Sequence, residues 1–360
     1  MLSILMISPL SSQPRIIKRA THLNDLSKLE VLGFKRRVYE QNKFPDCIAY
    51  KSLGYINDGK YLKRVLTLLK AIFFIRKRVN KNTIFYALSI DCLLLAWMAG
   101  IKRGFYEIGD LRSCEKPESL PSKLERFFIR RLGGVVITSD FFYSEYFRHY
   151  KSTTNSNFCV IKNKLHPTIL NSSRESMGLV TGNKIKIGLI GLLRYEKPIR
   201  WLINFVKNHQ DTYELHCYGD GPLRTLIEQN NNGSIKYYGS FKSPEDLTEI
   251  YKNIDLNFVV YDSKSKNVQL ALPNKLYESI YFCVPILVAR NTSLASEVRK
   301  LGVGASVSLC SERQFVADIR QLSVKKMKVF ADSASRVESS FLIDDSEKKL
   351  RNLLATFESY

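Results

Sequence analysis

Short apolar runs alternate with stretches of helical period from one end of the chain to the other. In the first half the runs predict strands at 2–8, 29–34, 84–90, 104–108 and 134–138. Pro14, at a favoured first-turn position, opens a helix carrying Ile16, Ile17, Ala20 and Leu23 at helical spacing. Further helices are predicted over about 60–79, 92–99 and 124–132. The second half repeats the rhythm with strands at 184–193, 214–218, 235–238, 254–260, 284–289 and 305–309. Helices at about 198–208, 222–229, 244–252, 274–282 and 293–300 separate them. Two such blocks predict an α/β protein with two doubly wound parallel sheets. In such sheets ligands lie at the carboxyl ends of the strands, and the cleft between two facing domains is the default site. The expected organisation is a first domain over 1–165, a linker over 166–183 rich in Ser, Asn, Thr and Gly, and a second domain over 184–340. A helix over 341–360 is expected to pack back on the first domain.

The apolar stretch 84–101 is just long enough to suggest a membrane span, but Asp91 at its centre is costly in lipid, so a strand followed by a helix explains it better. The start, MLSILMISPL, has no basic flank and reads as a core strand, not a signal peptide. Seven scattered cysteines (47, 92, 114, 159, 217, 283 and 310), with no CxxC, fit buried free thiols in a reducing cytoplasm. The 360 residues carry 55 Lys and Arg against 34 Asp and Glu, a net charge of +21. That surplus suits an anionic partner such as nucleic acid, an acidic membrane or a phosphate-bearing ligand. The motifs of simple dinucleotide and P-loop sites are absent, as are HExxH and GxSxG. His22, His149, His166, His209 and His216 lack metal-ligand spacing, and no D-x-D supplies a carboxylate pair for a hard cation.

The strongest chemical signal is LPNKLYE at 272–278, where Pro273 and Asn274 end a loop and begin a helix. Lys275 and Glu278 are three residues apart and share a helical face beside N–H groups that suit an anion. A Glu there can accept two hydroxyl hydrogen bonds from a ribose while the Lys neutralises phosphate; an ordinary capped helix with an ion pair is the plainer alternative. Upstream, GLLRYEK at 191–197 breaks a strand at Gly191 and places Arg194 and Lys197 at the sheet's carboxyl edge. YGDGP at 218–222 ends the next strand in a tight turn, and YYGSF at 237–241 follows.

In that order these segments, with VPILVA at 284–289, resemble the donor domain of bacterial glycosyltransferases of the two-Rossmann-domain (GT-B) type. The likeness is greatest to the retaining family-four-like enzymes that build capsule, O-antigen and exopolysaccharide, and it covers about 184–310. QPRIIKR at 13–19, YEIGDL at 106–111, Thr138-Ser139 and IKNK at 161–164 resemble the family's first domain more loosely.

The resemblance implies two Rossmann-like domains facing across a cleft, the first for the acceptor and the second for a nucleoside-diphosphate sugar, UDP-linked. It implies that Gly191, Arg194 and Lys197 hold the donor diphosphate and that Gly219, Asp220, Gly221 and Phe241 border the nucleotide. Glu278 is implied at the ribose, with Pro273, Asn274, Lys275 and Leu276 shaping the sugar–phosphate end. Position 270, where the related enzymes often carry a first Glu, is Leu270, which leaves retention and inversion both open. Without a metal motif, Arg194, Lys197 and Lys275 are the groups expected to stabilise the leaving phosphate, so no cofactor is expected. An inverting course needs a general base; Asp110, at a strand's carboxyl end, is first in line and Glu107 second, although the two could simply cap a loop.

Eight basic residues and no acidic one lie between Lys60 and Lys81. Leu62, Val65, Leu66, Leu69, Ile72, Phe73 and Val79 recur at helical spacing there, with Lys63, Arg64, Lys70, Arg76, Lys77 and Arg78 among them. A basic amphipathic helix suits the anionic inner face of a cell membrane and an acceptor saccharide carried on a lipid diphosphate; a core-facing helix with a solvated basic rim is the alternative. Other readings weighed are a nucleotide-sugar epimerase of the same architecture, a non-catalytic scaffold, and a nucleic-acid-binding protein, for which no recognition motif is present.

Overall fold

The computed structural model describes residues 3–8, 14–35, 44–56, 61–111, 116, 118–149, 158–171 and 183–358. The chain divides into two compact units, Met1–Asn163 with Asp345–Tyr360, and Lys164–Asp344. Gln13, Lys60 and Cys114, and most of the expected linker, lie outside the described residues.

The first unit runs β1 (Ser3–Ser8), α1 (Pro14–Leu26), β2 (Lys28–Lys35), β3 (Ala49–Tyr55), α2 (Tyr61–Arg76), β4 (Thr83–Ala87), α3 (Ile90–Met98), β5 (Gly104–Ile108), α4 (Leu120–Ile129), β6 (Gly134–Ile137), α5 (Asp140–Glu145) and β7 (Phe158–Val160). Among the described residues its seven strands form one parallel sheet in the order β3-β2-β1-β4-β5-β6-β7. Strands β1, β4, β5 and β6 are buried almost throughout, as central strands of a sheet covered on both faces must be. That is why β1, β4 and β6 read as almost continuous apolar runs, while β5 carries the buried Glu107 within its run. The edge strands β3 and β7 were not predicted: β3 is mostly exposed and polar, and β7 has three residues. The 84–101 stretch is β4 followed by α3, whose N-cap Ser89 accepts from the Cys92 N–H. No helix among the described residues is long and apolar enough to cross a membrane.

The second unit runs β8 (Ile185–Leu192), α6 (Glu196–Asn208), β9 (Tyr213–Asp220), α7 (Arg224–Glu228), β10 (Ile235–Gly239), α8 (Leu247–Lys252), β11 (Leu256–Val259), α9 (Lys266–Leu270), α10 (Asn274–Tyr281), β12 (Ile286–Ala289), α11 (Ser293–Leu301), β13 (Gly304–Val307), α12 (Glu312–Arg320), α13 (Val324–Ser335) and α14 (Ser339–Leu342). Its six described strands pair in parallel in the order β10-β9-β8-β11-β12-β13. Ile187, Leu189, Leu215, Cys217, Phe258 and Leu287 of this sheet form one core with Ile199, Leu202, Phe205 and Val206 of α6 and Phe315 and Ile319 of α12. Residues 164–171 belong to this unit: Leu165 bridges Ile343, and the Tyr281 hydroxyl donates to the Ile169 carbonyl at 2.8 Å.

The last helix, α15 (Ser346–Glu358), returns to the first unit. Leu350, Leu353, Leu354 and Phe357 enter its core beside Ile16, Ala20 and Leu23 of α1. The Phe357 ring packs edge-on against Phe105, with centroids 4.7 Å apart. The thiols are less uniformly interior than expected, because Cys47 and Cys310 are exposed.

Candidate functional site

In the second unit the carboxyl ends of β8 and β9 meet backbone to backbone. Gly191, Gly219 and Gly221 have φ of 109°, 135° and 153°, conformations that residues with a Cβ rarely adopt. A Cβ on Gly219 would lie 1.9 Å from the Gly191 carbonyl oxygen, and one on Gly221 would lie 2.7 Å from the Leu193 oxygen. At Gly219 and Gly221 neighbouring backbone occupies the space a side chain would need. Leu193 N–H then donates to Asp220 O (3.0 Å) and Leu223 N–H to Leu193 O (2.9 Å), tying the two strand ends together.

Helix α10 stands over this junction. Pro273 provides an extended N-cap with no side-chain hydrogen bond to the helix. The Lys275 stem passes 3.5 Å from the point where a Gly191 Cβ would sit. Its ammonium lies 2.7 Å from Glu278 Oε2 and 5.4 Å from the centre of the Phe241 ring. Asn274 Nδ2 donates to Glu278 Oε1 at 2.5 Å. Gly191, Phe241, Asn274, Lys275 and Glu278 are therefore brought together. Lys275 and Glu278 are 6% and 2% exposed, so the ion pair is held in a largely dehydrated place. Leu276, about 100° round the helix from Lys275, is a core residue at 1% exposure, on a helix buried on every face from Lys275 to Tyr281.

The other predicted cations sit differently. Arg194 is exposed, and its Nη2 donates to the Tyr195 hydroxyl at 2.7 Å. The Tyr195 ring stacks on Tyr261 at 4.8 Å, and burial followed by the Tyr195 neighbour pushes the Tyr261 phenol pKa up. Lys197, at the start of α6, donates to the Leu309 carbonyl at 2.7 Å beyond β13 and makes no hydrogen bond to Asn274, Lys275 or Glu278. Asp220 caps its own turn, with Oδ1 2.7 Å from Gly221 N–H.

In the first unit, Glu107 is not placed to take a proton from a substrate. It is 0% exposed. The Arg19 Nε lies 3.2 Å from Oε2, the Arg15 Nε 3.4 Å from Oε1, and the Tyr86 hydroxyl donates to Oε2 at 2.6 Å. Two guanidinium groups and a phenol consume this carboxylate. Asp110, two residues past β5, is exposed. Arg15, within the 13–19 segment, is a residue that the sequence pattern does not single out; its guanidinium fills the space of a Gly109 Cβ beside Asp110.

For the basic helix, the side chains of Lys63 and Arg64 are not among those described. Lys70, Arg76 and Lys77 are exposed. Arg78 is not: its Nε bonds Glu30 at 3.1 Å, its Nη1 the Phe74 carbonyl at 2.8 Å, and it stacks 3.6 Å over the Phe74 ring. The apolar positions also divide. Ala71 and Ile75 are buried, whereas Val65, Leu66, Leu69 and Phe73 are 51%, 52%, 45% and 67% exposed.

No family model matches the chain. Over 333 residues it is 22% identical to the succinoglycan biosynthesis protein ExoL of Rhizobium meliloti (strain 1021), covering 84% of this chain and 81% of that protein. It is similar in structure to a sucrose-phosphate synthase of Thermosynechococcus elongatus, with a TM-score of 0.73 at 13% identity and 100% of both chains covered. It is also similar to HepE of Anabaena, solved in complex with UDP-glucose, with a TM-score of 0.68 at 14% identity and 100% of both chains covered. The chain has the fold expected of it: two Rossmann-like parallel-sheet units of the kind found in GT-B glycosyltransferases.

Proposed function

We propose that this protein is a glycosyltransferase that moves a sugar from a UDP-linked donor to a growing, lipid-linked surface polysaccharide or oligosaccharide. The observation that carries this reading is the glycine junction of β8 and β9 with the Lys275–Glu278 pair lying over it. Bare backbone at the carboxyl ends of parallel strands admits a diphosphate closely, as at other sites of this topology. The similarity to ExoL and the UDP-glucose complex of HepE support the substrate class.

Glycosyl transfer breaks the bond from the anomeric carbon to the diphosphate oxygen, and negative charge grows on the departing UDP. Fixed cations in a dehydrated site stabilise that charge. Lys275 and Arg194 take this part, and Lys197 exchanges the Leu309 carbonyl for a phosphate oxygen. They do so without a metal ion. Glu278 accepts the ribose hydroxyls. Asp110 is the general base in an inverting course, whereas a retaining course dispenses with it.

Thermal unfolding with nucleoside diphosphates tests the donor site. UDP at 100 times its dissociation constant is expected to stabilise the fold by about 2.7 kcal/mol; no shift with any nucleoside diphosphate rejects the reading. An NMR time course of a UDP-sugar without acceptor separates transfer from epimerisation, since epimer formation favours the latter.

The exposed ridge of Leu66, Leu69 and Phe73, flanked by Lys70, Arg76 and Lys77, supports contact with the anionic inner face of a cell membrane. Changing Leu66, Leu69 and Phe73 together to Ser is expected to reduce cosedimentation with phosphatidylglycerol vesicles while leaving UDP affinity intact. Unchanged vesicle binding removes the membrane contact.

A further inference from the structure

Among the described residues Glu278 takes three side-chain hydrogen bonds, and one of them comes from outside its own helix. The Tyr251 hydroxyl, from α8, donates to Glu278 Oε2 at 3.0 Å. The direction is forced, because a carboxylate can only accept and the phenol has one proton. The neighbour of that hydroxyl on its other side, Asn257 Nδ2 at 3.1 Å, must then be a donor. The same Nδ2 donates to Ser279 Oγ at 2.7 Å. A one-way chain thus runs from β11, through Tyr251, to the carboxylate.

Every member of this chain is buried: Asn257 is 0%, Tyr251 1% and Ser279 1% exposed. The Tyr251 ring is held flat against Phe282, with centroids 4.7 Å apart and planes 15° apart. Burial, then the Glu278 charge, pushes the Tyr251 phenol pKa well above its ordinary value, so it keeps the proton it donates. Asn257 interrupts an otherwise apolar strand, between Leu256 and Phe258, and its Oδ1 is buried without a hydrogen-bond partner among the described residues. A polar side chain there costs stability that a leucine would not. Its two hydrogen bonds, to the Tyr251 hydroxyl and to Ser279 Oγ, hold that hydroxyl in its aim.

We propose that Tyr251, itself oriented by Asn257, is the positioning residue that holds the Glu278 carboxylate in the one orientation that receives a ribose. This rests on the reading of Glu278 as the ribose acceptor. Lys275 and Asn274 lie on the same helix as Glu278 and move with it; Tyr251 and Asn257 register the carboxylate against the sheet on which the diphosphate lies.

The test is calorimetric binding of UDP and of 2′,3′-dideoxy-UDP, which lacks the hydroxyls in question. Tyr251→Phe is expected to weaken UDP about 5-fold, about 1 kcal/mol, to leave dideoxy-UDP unchanged, and to have no further effect on top of Glu278→Gln. Asn257→Leu is expected to weaken UDP in the same selective way, which carries the test if Tyr251→Phe fails to fold. Wild-type UDP affinity in both variants, or equal weakening of the two nucleotides, overturns the positioning role. If Glu278→Gln itself weakens both nucleotides alike, the ribose reading fails and the proposal with it.

Discussion

Replacing Glu278 by Ala is expected to lower affinity for UDP at least ~10-fold, about 1.4 kcal/mol, and to destabilise the fold by about 3–5 kcal/mol. Both effects come from one cause. Lys275 and Glu278 sit 2.7 Å apart and are almost fully buried. Removing the carboxylate leaves an ammonium without its counter-charge in a place where water reaches it poorly, and leaves the Tyr251 hydroxyl without its acceptor. Lys275→Ala is expected to show the mirror effect. Lys275→Met with Glu278→Leu separates the two consequences. A packed apolar pair restores most of the stability, because the desolvation cost of both ions vanishes, while UDP binding stays lost. Urea denaturation and calorimetry on the same samples read both quantities. Wild-type UDP affinity in Glu278→Ala would place the donor elsewhere.

Gly219→Ala is expected to be the most damaging single methyl in the second unit. The backbone there has φ of 135°, which costs an alanine about 1–3 kcal/mol. The new Cβ also falls 1.9 Å from a backbone carbonyl, which cannot rotate aside as a flexible side chain can. Forced separation of the β8 and β9 ends adds about 1–3 kcal/mol more and opens the junction that UDP is proposed to occupy. Gly233→Ala, with nothing within 4 Å of its Cβ, is the matched control and is expected to unfold at the wild-type urea concentration. A Gly219→Ala midpoint equal to the control's would mean that the strand ends tolerate the separation.

How much of the fold could be read from the chain depended on where each element lies. Strands β1, β4 and β6 were legible because burial on both faces writes an almost uninterrupted apolar run. Strands β3 and β7 were not, since an edge strand needs no such run. Helices α9, α12, α13 and α14 were not anticipated either; two of them have five residues or fewer, too short for a helical period to show. At the candidate site, local spacing sufficed for Lys275 and Glu278, which meet because they are three apart on one helix. It also sufficed for the glycine turns.

What the sequence determined by itself was therefore whatever depends on neighbours along the chain: the alternation of elements, the two-unit plan, the glycine breaks and the helical ion pair. Folding decided what depends on residues far apart. It consumed Glu107 between Arg15 and Arg19, and turned Lys197 to the Leu309 carbonyl. It exposed Leu66 and Phe73 while burying Ala71 and Ile75 of the same apolar helix, and aimed Tyr251 at a carboxylate 27 positions away. The physical reason is that periodicity records which face of an element is apolar, whereas the partner of a buried charge or hydroxyl is chosen by which elements the sheet order sets side by side.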